Sequence, residues 1–111
     1  MHKEDLWVCF TMDVERVKKY SPTGGPDDLE FSEKSIQSYC NLLSQNGYLA
    51  TLFVVPNAAE DHTSLLQKLA AEGHECGMHF HEQSWNSNWR NHAQYEYLGW
   101  YTGNRQRELL L

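Results

Sequence analysis

The run Tyr48-Leu49-Ala50-Thr51-Leu52-Phe53-Val54-Val55-Pro56 is apolar at almost every position and is stopped by a proline. It is too short to span a membrane, which takes ~20 apolar residues, and it lacks the alternation of a strand with one wet face. It therefore reads as a strand buried on both sides, as in a parallel sheet. Parallel neighbours need crossovers, usually helical, so helices should flank it. Ser32 can cap one that runs to about Asn46, with Ile36, Tyr39, Cys40 and Leu43 at helical steps and Gly47 as the stop. Asp61 or Thr63 can start another through Glu72, burying Leu65, Leu66, Leu69 and Ala70 and ending at Gly73. Leu6 to Met12 reads as a first strand with acids at its exit, residues 18 to 30 as a loop, and His74 to Phe80 as a third strand. The order strand, helix, strand, helix, strand predicts an α/β fold with parallel strands in βαβαβ order and right-handed crossovers.

The 111 residues, 41% hydrophobic, suffice for one domain, taken as 1–111. Net charge is -6 and the nine Lys and Arg are scattered, so neither nucleic acid nor an anionic membrane is expected as a partner. Cys9, Cys40 and Cys76 sit inside apolar patterns and read as reduced, buried thiols. The apolar stretch before Asp13 is too short for a secretory signal, which points to a cytoplasmic location. The chain closes on "NRQRELLL", which has the look of two opening helical turns and suggests an incomplete domain.

In parallel α/β folds the C-terminal strand ends share one side, and sites form there. Asp13 and Glu15 leave the first strand on that side, and His79 and His81 leave the third. Side chains two apart on a strand project to one face, so the two pairs can converge. Imidazoles and carboxylates suit a divalent cation, Zn²⁺ first and Co²⁺, Ni²⁺ or Mn²⁺ as alternatives, with a position left for water. Such a cation lowers the pKa of water toward ~7, and one of the two acids can act as base while the other ligates. His2, His62 and His92 read as solvated, and His74, five residues of ~3.3 Å rise before His79, is too distant to join them. The aromatic stretch after the motif, Trp85 foremost, offers faces on which sugar rings can stack.

"FTMDVE", "GYLATLFVVP" and "AAEGHECGMHFHEQSW" together resemble the N-terminal half of a polysaccharide deacetylase of the NodB-homology type, carbohydrate esterase family four. The resemblance spans about residues 6 to 86, with Gly73 to His79 its most specific block. It implies part of an irregular (β/α) barrel and metal-dependent removal of acetyl groups from N-acetylated sugars, with Asp13 as general base and His79 as a metal ligand. The family's usual adjacent acids are here split by Val14, and its usual second histidine position holds Gln83. A branch using Asp-x-Glu with His-x-His would move ligation to Glu15 and His81. Two alternatives stand beside this one: a non-catalytic half-domain, and a metal-dependent hydrolase of a small cyclic or linear amide.

Overall fold

The computed structural model describes residues 3–21, 24–80, 103, 104 and 107. Three strands, β1 (Phe10–Val14), β2 (Ala50–Val54) and β3 (Glu75–Met78), form one parallel sheet in the order β1-β2-β3. Helix α1 (Leu29–Gln45) links β1 to β2, and α2 (Pro56–Asp61) with α3 (Thr63–Ala71) links β2 to β3. The expected α/β class with parallel strands is what the chain adopts.

Register decides the faces. Met12, Leu52 and Cys76 share a row, as do Val14, Val54 and Met78, while Asp13, Phe53 and Gly77 form a row of opposite parity. Val14, Ala50, Leu52 and Val54 enter one core with Ile36, Cys40 and Leu43 of α1 and Leu65, Leu66 and Leu69 of α3. The helices thus cover one face of the sheet, and Asp13 and Phe53 lie on the other.

Both long helices end in the same way. Gly47 adopts φ 78° and Gly73 φ 102°, the left-handed region that disfavours a Cβ. At each end two hydrogen bonds close the turn: Tyr48 N–H to Leu43 C=O with Gly47 N–H to Ser44 C=O, and His74 N–H to Leu69 C=O with Gly73 N–H to Ala70 C=O. These are paired Schellman closures, and each aims the chain into the next strand.

His74 locks this end. It is buried, its Nδ1 accepts from Ala50 N–H at 3.0 Å, and its Nε2 lies 3.1 Å from Ser44 Oγ. Because Nδ1 accepts, the ring proton sits on Nε2 and donates to the serine. One imidazole ties the start of β2 to the end of α1 and the entry to β3.

Several expectations require correction. β1 begins at Phe10 rather than Leu6, and Leu6, Trp7 and Val8 are exposed, Trp7 at 89%. The reason is pairing: Phe10 lies opposite Ala50, the first residue of β2, so nothing opposes the residues before it. Asp13 consequently lies within the strand. The cap of α1 is Asp28, whose carboxylate accepts from Phe31 N–H at 2.7 Å, and not Ser32, which is buried inside the helix. Pro56 does more than end a strand, since it opens α2, where its missing N–H costs nothing. Ala70 faces solvent. His62, expected to be solvated, is buried at the α2–α3 junction with Nε2 2.9 Å from Ser32 Oγ.

Among the cysteines only Cys40 is buried; Cys9 and Cys76 are exposed, and all three are free thiols. Cys76 has core parity but lies on β3, an edge strand, and is exposed, as is Met78 in the next row at 63%. Burial raises the pKa of Cys40, with Cys76 and Glu72 adding to it; partial burial and then Glu75 raise that of Cys76. A raised pKa lowers the thiolate fraction at neutral pH. A disulfide reagent at neutral pH should therefore label Cys9 first, Cys76 more slowly, and Cys40 only on unfolding, as read by peptide mass mapping. Replacing His74→Phe should cost about 2–3 kcal/mol in urea denaturation, because it leaves the Ala50 N–H and Ser44 hydroxyl without their partner.

Candidate metal centre

The strand exits are held level by main-chain bonds. Val55 N–H donates to Val14 C=O at 3.1 Å, and His79 N–H donates to Val54 C=O at 3.0 Å, continuing the ladder one step past β3. Glu15 and His79 are thereby the first residues beyond the ends of β1 and β3, each with the parity of the uncovered face.

Their side chains meet. His79 Nε2 lies 3.0 Å from Glu15 Oε1, across 64 residues of sequence, and 4.0 Å from Asp13 Oδ2. Exposure separates the two acids: the Glu15 side chain is 21% exposed and that of Asp13 59%, with His79 at 26%. A carboxylate only accepts, so the bond places the His79 proton on Nε2. Phe53 lies between Asp13 and Gly77 in register, and its ring borders Gly77, where an added Cβ would sit 3.3 Å from the nearest ring carbon. The gap between the two outer strands therefore has an aromatic floor.

The donor chemistry can be tested against a cation. Two ligands about 2.0–2.2 Å from one tetrahedral ion stand roughly 3.4 Å apart, close to the observed separation of Glu15 and His79. Ligation by Nε2 requires the proton to move to Nδ1. Among the described residues no group of three or more His, Cys, Asp or Glu is gathered in metal-holding geometry. The expected third ligand, His81, and the expected stacking residue, Trp85, lie outside the described residues. His74 takes no part, as expected.

Sequence reasoning missed the packing of the segment after β1. Gly25 presses on the main chain, where a Cβ would stand 2.1 Å from the Arg16 carbonyl oxygen, and Lys18 N–H donates to Pro26 C=O at 2.7 Å. The Arg16 guanidinium lies 4.9 Å from the centre of the Tyr20 ring. Two prolines and two glycines marked this stretch as a loop, but their composition gave no sign that it folds back on the strand exit.

Long-range proton–nitrogen spectra of the metal-free chain should show His74 and His79 both protonated at Nε2. Titration with zinc should move the proton to Nδ1 at His79 alone.

A family model described as polysaccharide deacetylase matches residues 24–104. The match takes in α1 through β3 together with His79, His81 and Trp85, and it begins after Asp13 and Glu15. No solved structure matches the chain.

Proposed function

The chain belongs to the polysaccharide deacetylase family, and from that premise we propose that it hydrolyses the acetamide C–N bond of an N-acetylated carbohydrate. In this reading Glu15, His79 and His81 hold a divalent cation, zinc before cobalt, nickel or manganese, and Asp13 is the general base. The observation that carries it is the meeting of Glu15 and His79 at 3.0 Å from the ends of the two outer strands. The three parallel strands would then be part of an irregular (β/α) barrel.

A cation bound there supplies Lewis acidity, bringing the pKa of water toward about 7 and polarising the amide carbonyl. The protein's own groups divide the remaining work. Glu15, the more shielded carboxylate, is suited to ligation, since burial strengthens its attraction to a cation. Asp13 is the more open acid and lies 4.0 Å from His79 Nε2, where it can take a proton from the attacking water at Oδ2. The new bond forms to the carbonyl carbon, the C–N bond breaks, and the proton ends on the departing nitrogen. The products are acetate and a free amine. Trp85, four residues beyond His81, is the proposed surface for a sugar ring.

No helix among the described residues is long and apolar enough to cross a membrane. A cytoplasmic location remains part of the proposal.

Metal analysis of the purified chain should give about one zinc per molecule, falling at least tenfold in a His79→Ala/His81→Ala double variant. Equal metal content in the two proteins would overturn the assignment. Asp13→Asn should retain the metal while acetate release from chitooligosaccharides drops at least a hundredfold, which separates base from ligand.

A further inference from the structure

A cavity of about 360 Å³ opens beside the two acids, between β1, the start of α1 and the Gly25-Pro26 turn. That volume lies within the ordinary range for small-molecule sites, roughly 300–1,000 Å³. Asp13 and Glu15 line it together with Met12, Val14, Pro26, Phe31 and Ile36. Two serines also line it, but both hydroxyls are engaged elsewhere. Ser32 Oγ is 2.9 Å from His62 Nε2, and Ser35 Oγ donates to Phe31 C=O at 2.8 Å.

The cavity is therefore chemically lopsided. Two of its lining residues are the acids that meet His79, and the side chains of the others are apolar apart from two serine hydroxyls already engaged. Burying a hydroxyl there would be unfavourable, whereas an alkyl chain would be stabilised. We propose that this cavity receives the alkyl part of an acyl group longer than acetyl, the amide head lying at the Asp13, Glu15 and His79 end. The substrate class becomes N-acylated amino sugars with acyl chains of several carbons. This rests on reading the site as an amide hydrolase, but it concerns residues outside the proposed ligand set.

Binding to the 111-residue chain can be measured calorimetrically with N-acetylglucosamine, N-hexanoylglucosamine and hexanoate. Each buried methylene raises affinity about fourfold, so partial burial of four should favour the hexanoyl amide about tenfold to fiftyfold over the acetyl one. Hexanoate should bind more weakly than the hexanoyl amide, because its charge meets the two acids. Ser35→Trp, on the half-exposed flank of α1, should fill the cavity and abolish the preference. Phe31→Ser removes an exposed wall at little cost to folding and should reduce it several-fold.

Equal affinities for the two amides in the unaltered chain would overturn the proposal. So would a preference that survives in folded Ser35→Trp, or hexanoate binding as tight as the hexanoyl amide. If the preference and its loss are both seen while no amide is hydrolysed with any metal, the hydrolase reading fails and the acyl cavity stands.

Discussion

Two main-chain hydrogen bonds set the height of everything chemical in this protein: Val55 N–H to Val14 C=O, and His79 N–H to Val54 C=O. They fix β1 and β3 to the central strand so that Glu15 and His79 leave the sheet at one level. A slip of one residue in either pairing would turn every side chain of that strand to the opposite face. Asp13 and Glu15 would then face the helices, and Val14 would face water. The register is protected by the core beneath it, where Leu52 is fully buried and Val14, Ala50 and Val54 are nearly so. Burial on one face of the sheet thus determines the arrangement of polar groups on the other.

Most of that framework was legible in the residues. "ATLFV" announced a strand, although it is not buried on both faces as expected, since Ala50, Leu52 and Val54 are buried and Thr51 and Phe53 only half-buried. Gly47 and Gly73 marked the helix ends because a left-handed turn needs them. What could not be read was whatever depended on a distant partner. Leu6 to Val8 look like strand, yet β2 pairs only from Ala50 onward, since the residues just before it are used in closing α1. Asp28 and Ser32 are both capping types, and the choice between them follows from His62, thirty residues on, which takes the serine hydroxyl into the interior. Cys76 matched an apolar pattern but lies on the edge strand β3, where it stays exposed.

The site divides along the same line. Two-residue spacing was enough to put Asp13 and Glu15 on one face, and parallel order was enough to bring His79 toward them. Their unequal exposure was not readable, because it depends on how the segment after β1 packs against the strand exit. The cavity beside them was invisible for a related reason. Its apolar character comes as much from where Ser32 and Ser35 direct their hydroxyls as from Met12, Val14 and Phe31.

The two Schellman closures and the His74 imidazole sit at the opposite end of the sheet from the carboxylates. Each closure is made by main-chain groups a few residues apart, and the imidazole satisfies its neighbours without help from the far end. The molecule therefore keeps its structural and chemical commitments physically apart. Lengthening or recomposing the segment between β1 and α1 disturbs none of the turns that launch β2 and β3. A fold arranged in this way can acquire a new substrate preference by rewriting one loop while the rest of the chain is inherited unchanged.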